Sequence, residues 1–525
     1  MSIATTLSRV TGFVRMWAMG LAVGSGTITA AYGLANNIPN MVFELVAGGI
    51  LSSLFIPTFL RVREERGEEG AWRFASHVFN IFVLVLGVIA VIGTVWPEPF
   101  IWTQTFRSDA ATAGLSRGPA EFFFRFFAIQ VVIYGGGMVM QGILNARREY
   151  MWAALGPVFN NVIVIATMML VATMPLDRSG MAVLAIGTTL GVVAMFGVMV
   201  PSLVRTGIKY TPSLGLSDPD VRGMLVLAVP TVVYVVTNMV AVSFRNASAL
   251  AVASNGPAVL QFAWTFYQLP YGILAVALAT AVFTEMSHAA GRDDIDGFRV
   301  TFVQGLRVTA LLILPAAGLL IALATPLATL YLVGRFDPAD IPAVAGALRL
   351  WASGLVFFAC MMFVLRAFYS LRDTRTPMLV NLGTTVVHVG GYLLLTTGIG
   401  TWAGLGLYGI PVADGIFYAL QFALLALLLR GKIGGFDLRG FATTFIRMAV
   451  VSAAASASAW AVARAVANVA PGALGALAQV GAGGLVGLLI AYLGSRLMRI
   501  DEARVLGALF TRVLRRRGAR EGGHK

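Results

Sequence analysis

The sequence predicts an all-α polytopic membrane protein of about 14 transmembrane helices, arranged as two pseudo-symmetric six-helix lobes plus two C-terminal helices. Three observations carry that prediction. First, 58% of the 525 residues are hydrophobic, only 12% are charged, and the mean hydropathy is +0.82. A soluble domain carries roughly 25% charged residues, so most of a soluble surface is missing. Second, the apolar runs are continuous and about 20 residues long, which suits helices and excludes an alternating strand barrel. Third, the pattern repeats. Gly49-Ile50-Leu51 matches Gly272-Ile273-Leu274, and Phe74 matches Phe298, at offsets near 223–224. Arg147 matches Arg372 at 225.

The first six spans fall at roughly 4–26, 30–60, 74–96, 120–146, 153–174 and 181–204. A second six follow at roughly 222–248, 257–285, 301–324, 341–370, 378–398 and 405–429, and two more at about 443–468 and 472–497. The expected divisions are a first lobe over 1–220, a second over 221–436, two added helices over 437–497, and a basic tail over 498–525. Within the first lobe, the stretch from Asn36 to Phe59 is apolar yet carries Asn36, Asn37, Asn40 and Glu44, with Pro39 at its entry and Gly48-Gly49 inside. Unpaired polar groups in hydrocarbon cost several kcal/mol each, so that helix must turn them toward a protein-lined, wet space. Tyr267 to Glu285 has the same plan, entered by Pro270.

Basic residues orient the chain. Arg61, Arg63, Arg66, Arg73, Arg147, Arg148, Arg205, Lys209 and Arg222 follow even-numbered spans, as do Arg292, Arg299, Arg372, Arg375, Arg430, Lys432 and Arg439. Both termini are therefore expected inside the cell. Arg107, Arg117, Arg178 and Arg335 are exceptions. The net charge is +14, with Lys and Arg numbering 38. It is spread over short loops and the tail, and no nucleic-acid motif accompanies it, so no nucleic-acid partner is expected. Two readings of the tail stand: a helix lying on the anionic inner leaflet, each basic residue contributing about 1 kcal/mol, and a stop-transfer flank that sets topology.

Enzymatic signatures are missing. There is no GxxxxGK[ST] loop, and His77, His288, His388 and His524 lack zinc spacing. Cys360 is the single cysteine, so no disulfide forms within one chain. No enzyme activity, cofactor or metal is expected, and driving energy must come from ion gradients, the membrane potential or flux. Two six-helix units in the same orientation can enclose a cleft and rock against each other, giving alternating access.

Arg15 is the most telling charge. It lies about eleven residues into the first span, roughly 16 Å deep, where a lone Arg costs about 2.5–3.5 kcal/mol on insertion scales. One reading places its guanidinium in a cleft, holding phosphate bidentately. The other pairs it with an internal acid such as Glu44. Arg9 can snorkel to the inner interface. Asn238 and Arg245 follow Pro230 on the first helix of the second set, so Arg245 is either a second cationic contact or an outer-interface topology residue. Gln268 adds a polar group to the eighth span. Asp414 and His388 are candidates for proton or Na⁺ coupling, set against the commoner role of polar contacts between helices.

The stretches LSRVTGFVR (Leu7–Arg15), ANNIPNMVFELVAGGILSSLFIP (Ala35–Pro57), GILNARREYMWAALGPVFNN (Gly142–Asn161), YQLPYGILAVALATAVFTEMS (Tyr267–Ser287) and LRAFYSLRDTRTP (Leu365–Pro377) resemble the MurJ/MviN family of lipid II flippases, in the MOP exporter superfamily. The resemblance implies transport of lipid-linked disaccharide-pentapeptide from the inner to the outer leaflet of the bacterial cytoplasmic membrane for peptidoglycan synthesis. It further implies a cationic cleft for the pyrophosphate and sugar head, and a groove in the last two helices for the polyprenyl tail. Arg9 and Arg15 match the family's basic positions on the first helix. Phe43 and Glu44 stand where the family often has a basic pair, Trp264 and Thr265 where it often has Asp-Arg, and Met16 where an acid often follows the Arg. The expected substrate-binding set is Arg9, Arg15, Asn37, Asn40, Glu44, Asn238, Arg245 and Gln268, and the expected partners are lipid II, membrane lipids and cell-wall synthesis proteins. Two alternatives stand beside this: a related MOP-type exporter of another polyprenyl-linked glycan or of drugs or cations, and a non-transporting cell-wall scaffold. A cation exporter calls for acids in its cleft, whereas Arg15 favours an anionic cargo.

Overall fold

The computed structural model describes residues 2–44, 54–468 and 471–498. The Gly48-Gly49 pair and the basic tail beyond Met498 lie outside these residues. The described chain is helical, and it divides into two units. The first unit comprises residues 1–262, 331–340 and 388–410. It holds α1 (Ser2–Ala22), α2 (Thr27–Glu44), α3 (Ile56–Val95), α4 (Glu98–Thr105), α5 (Ala110–Ala146), α6 (Met151–Ala172), α7 (Arg178–Gly197), α8 (Val200–Arg205), α9 (Pro219–Val252) and the start of α10 (Gly256–Pro270). α5 is its centre, packed against α2, α3 and α7, while α1 lies on α6 and α4 on α9. The second unit comprises residues 263–330, 341–387 and 411–525. It holds α11 (Val276–Gly291), α12 (Ile295–Ala322), α13 (Ala324–Thr329), α14 (Ile341–Ser370), most of α15 (Arg375–Thr397), α16 (Gly409–Lys432), α17 (Leu438–Ala465) and α18 (Gly472–Leu497). There α12 is central, touching α11, α14 and α17, and α17 pairs with α18.

Eleven helical segments among the described residues are long and apolar enough to cross a membrane. They coincide with eleven of the expected spans. The three expected spans outside that set are helical too, as α1, α2 and the α10–α11 pair. These are the segments that carry Arg9 and Arg15, the asparagines with Glu44, and Gln268. In α1 and α2 these polar residues lower the apolar character, whereas α10 and α11, of 15 and 16 residues, are each short and are parted by the turn at Tyr271–Ala275.

Four local differences from the sequence reading have physical causes. The charged stretch after Leu60, expected as a loop, is helical: α3 continues through it with one break at Gly67 (φ +70°, ψ −175°). Ion pairs hold it in place, Arg61 and Arg66 each 2.8 Å from Asp220 and Arg63 2.6 Å from Glu68. Neither proline enters its helix. Pro39 sits inside α2, and Pro270 closes α10, followed by a π-helical turn at Tyr271–Ala275. A ring that removes an N–H and crowds the preceding carbonyl forces that wider turn. The second repeat pair is also shifted. Arg148 and Arg372 both take left-handed φ values, +64° and +57°, just past α5 and α14. The same bond closes each end, Glu149 N–H to Leu144 O at 2.9 Å and Asp373 N–H to Phe368 O at 3.0 Å. Matching these ends gives an offset of 224 (372 less 148) rather than 225.

Finally, the four arginines that break the loop-charge pattern all make contacts inside the first unit. Arg335 donates to Ala22 O at 2.7 Å and Met174 O at 2.6 Å, covering the carbonyl ends of α1 and α6. Arg117 donates to Thr105 O at the end of α4, and Arg107 to Ser248 Oγ at 2.7 Å. Arg178 lies 5.7 Å over the Phe122 ring.

Candidate substrate cavity

The first unit contains a cavity of about 130 Å³ lined by residues of α1, α2, α6, α9 and α10. Its floor follows from how α1 and α2 are held. Met16, Ala18, Met19 and Ala22 bury one face of α1, and Asn161 of α6 donates to Thr11 Oγ1 at 2.9 Å and Ser8 O at 3.2 Å. That leaves Arg15 half-buried on the cavity side. On α2, Leu34, Ala35 and Ile38 are buried. The Tyr32 ring meets Phe123 and Phe127 of α5 edge-on, with its hydroxyl 3.1 Å from Thr188 Oγ1 of α7. Tyr134 OH donates to Asn40 Oδ1 at 3.2 Å. Asn36, Asn37 and Asn40 then face the cavity. Arg245 and Asn246 enter from α9, and Gln261 from α10.

Arg15 and Arg245 thus share one cavity, and no acidic residue lines it among the described residues. The described ion pairs do not include Arg15. The alternative Arg15–Glu44 pair is therefore not formed among the described residues. Glu44 is exposed at the end of α2, within Coulombic reach of Arg245. Two half-buried guanidiniums among amide groups, with no lining carboxylate, suit a diphosphate better than a cation.

Of the expected substrate-binding residues, Arg15, Asn37, Asn40 and Arg245 come together here. Arg9 lies earlier on α1 and Asn238 earlier on α9, each half-buried and away from the lining. Gln268 belongs to the second unit, near the end of α10. Phe43 packs its ring 4.9 Å from that of Tyr134. Asp414 is buried in the second unit and accepts from Trp351 Nε1 at 2.7 Å; His388, buried in the first, lies 4.5 Å ring to ring from Tyr392. No group of three His, Cys, Asp or Glu among the described residues has metal-holding geometry.

Sequence reasoning missed Gln104. It is 1% exposed, on α4, a short helix inside what read as a connection. Its Oε1 accepts from Asn246 Nδ2 at 2.8 Å and Asn37 Nδ2 at 3.4 Å, and its Nε2 donates to Ser243 Oγ at 2.8 Å. The only signal for it was the polar run Thr103-Gln104-Thr105 between Trp102 and Phe106.

Fold and cavity together define a class, a multi-pass helical membrane transporter. The family profile described as Lipid II flippase MurJ matches residues 19–477. A probable lipid II flippase MurJ of Rhizobium meliloti (strain 1021) is 29% identical over 392 residues, 72% of this chain and 70% of that one. The lipid II flippase MurJ of Burkholderia cenocepacia is 27% identical over 436 residues, 82% of each. A solved lipid II flippase MurJ in an inward closed conformation superposes with TM-score 0.78 at 20% identity, over 95% of this chain and 99% of that one. An inward-facing multidrug resistance MATE family transporter of the MOP superfamily superposes with TM-score 0.68 at 17% identity, over 83% and 95%. At those identities the two structures establish the fold. The chain belongs to the lipid II flippase MurJ family, and the drug or cation exporter alternative is not favoured.

Proposed function

We propose that the chain carries lipid II across the bacterial cytoplasmic membrane by alternating access, with the pyrophosphate held between Arg15 and Arg245 and the neighbouring asparagine amides bonding the sugar head. Both termini face the cytoplasm in this reading, the basic tail rests on the anionic inner leaflet, and cell-wall synthesis proteins are expected to work beside it. One observation supports the site above all others: two arginines from distant parts of the sequence line a single cavity without a lining acid. A bidentate guanidinium–phosphate contact contributes about 1.5–3 kcal/mol.

Cells depleted of their own flippase and dependent on this chain give the test. Arg15→Ala and Arg245→Ala should each cut outer-leaflet lipid II, measured by leaflet-resolved labelling, by about tenfold or more at unchanged protein level. Arg15→Lys should recover only part, because an ammonium lacks the planar fork. Full transport by Arg15→Ala would remove the proposed site, and normal growth with no flipping at all would favour the scaffold reading.

A further inference from the structure

A separate concavity of about 480 Å³ lies where α3 ends, the apolar part of α5 begins and α7 starts. That volume is in the usual range for a ligand pocket, about 300–1,000 Å³. It shares no lining residue with the Arg15–Arg245 cavity. Three formal charges line it: Glu121 and Arg125 on α5, and Arg178 on α7. Glu121 and Arg125 stand four residues apart, about 6 Å along the helix axis, in the order that ordinarily favours an ion pair. They do not form one. Among the described residues, Glu121 and Arg178 have neither an ion-pair partner nor a side-chain hydrogen bond. The Arg178 guanidinium lies 5.7 Å over the Phe122 ring, which fixes its plane and leaves its N–H groups unused. Arg125 comes no nearer to an acid than 4.0 Å, to Glu98, with both side chains about half exposed. Arg117, one turn earlier on α5, is held by Thr105 O and Oγ1, each at 3.0 Å. Charges of both signs therefore face one space without closing on each other.

We propose that this concavity holds the headgroup of a zwitterionic aminophospholipid of the phosphatidylethanolamine type, its phosphate on Arg125 and Arg178 and its ammonium on Glu121. Such a headgroup carries an anion and a cation two methylenes apart, which matches guanidinium and carboxylate groups set one helical turn apart. The surrounding surface identifies the ligand as a lipid. One or two turns further into the bilayer, Val91 of α3, Ile129 of α5 and Ile186 of α7 are exposed, and α5 packs against both α3 and α7. Charged level and apolar level thus follow each other in the order of headgroup and acyl chains. A phosphatidylcholine head has the same charges, but its trimethylammonium has no N–H to give Glu121. Phosphatidylglycerol offers the phosphate and no cation. In the orientation proposed above, the bound lipid belongs to the outer leaflet. An inverted topology would change the leaflet and leave the chemistry of the site as it is.

The test uses the full-length protein in phosphatidylcholine nanodiscs holding a trace of phosphatidylethanolamine with a diazirine near the start of one acyl chain. Label should map to peptides carrying Phe122–Ile129 and Arg178–Ile186. Unlabelled phosphatidylethanolamine should displace it at about tenfold lower concentration than phosphatidylglycerol. Glu121→Gln should cut labelling by about tenfold, and should leave unchanged the labelling by phosphatidylcholine carrying the same diazirine. Arg178→Gln should lower labelling by both probes, and Arg178→Lys should recover part. Gly118→Leu provides a variant that keeps every charge. Gly118 lines the concavity, and a Cβ there meets nothing within 4 Å, so the new side chain should block labelling without lowering the melting temperature. Label spread evenly over the lipid-facing helices, equal labelling by the two probes, or indifference to Glu121→Gln would overturn the proposal. Displacement by phosphatidylglycerol as good as by phosphatidylethanolamine would do so too, by making the site one for anions alone. The experiment contains no lipid II, so its outcome is independent of the transport reading.

Discussion

Asp373, in the turn between α14 and α15, shows how a surface charge can carry structure. Lys432 Nζ lies 2.6 Å from its carboxylate, and Thr376 donates to it from backbone and hydroxyl at 3.0 and 2.8 Å. Partial burial opposes the charge, yet these bonds outweigh it and hold the Asp373 carboxyl down to about 2. A folded value below the unfolded one of about 3.9 means the stabilisation is complete above that pH and is lost as pH falls toward 2. Asp373→Asn should therefore lower thermal stability in detergent at pH 7 by on the order of 1 kcal/mol, discounted because Lys432 is partly exposed. Wild type and variant should converge only as the pH falls below 2. Arg335 acts where no carboxylate is involved. Removing it leaves Ala22 O and Met174 O unbonded, so Arg335→Ala should cost about 1–3 kcal/mol by thermal unfolding, and Arg335→Lys should restore less than half. Gly24 (φ +89°) permits that contact, since a Cβ there would fall 2.2 Å from Arg335 O. Such roles were not legible in the sequence. Arg335 read only as a violation of loop charge, because a cation bound to carbonyls and one facing solvent look alike until the chain is folded. Arg15 was legible, since its depth alone demanded an explanation.

At the scale of elements, apolar run length placed the long helices well, because hydrocarbon thickness sets one dominant length. It failed where a helix is short. α4 was invisible: eight residues, entered by Pro97 with Glu98 in its first turn, give no membrane-length signal. Yet α4 delivers Gln104. The break in α3 was also hidden, since a charged stretch suits either a loop or a solvated helix. Gly67 adopts a conformation open essentially to glycine alone, so Gly67→Ala should cost about 1–3 kcal/mol. Its spectroscopic mark should be a change in spin-label distance between Glu64→Cys and Arg73→Cys, exposed positions on either side of the kink, in an otherwise cysteine-free chain. An unchanged distance would mean that the kink is set by the flanking ion pairs instead.

At the scale of the whole molecule, the repeat is written twice, once in sequence offsets and once in the matching left-handed ends of α5 and α14. The sequence offset erred by one residue because the identities there are few, while the helix-closing bonds fix the register. The proposed orientation has a direct check. Cys360, the single cysteine, is 1% exposed and should stay silent to maleimides. Against that background, Ile399→Cys, 62% exposed, should react with an impermeant maleimide on intact cells, and Leu216→Cys, 63% exposed, only after permeabilisation. The opposite pattern would invert the topology.

The hydrogen bond from Asn161 to Thr11 has a consequence for biogenesis. α1 and α2 are among the least apolar spans, and an arginine at mid-helix costs about 2.5–3.5 kcal/mol to release into lipid. The groups that bond these two helices to the rest of the unit arrive late: Asn161 follows Thr11 by 150 residues, and Thr188 follows Tyr32 by 156. At roughly 5–20 residues per second of synthesis, the first two helices must shelter beside the insertion machinery for about 8–30 s before their partners emerge. A nascent chain halted after α2 should therefore remain crosslinkable to that machinery, and one halted after α7 should have left it.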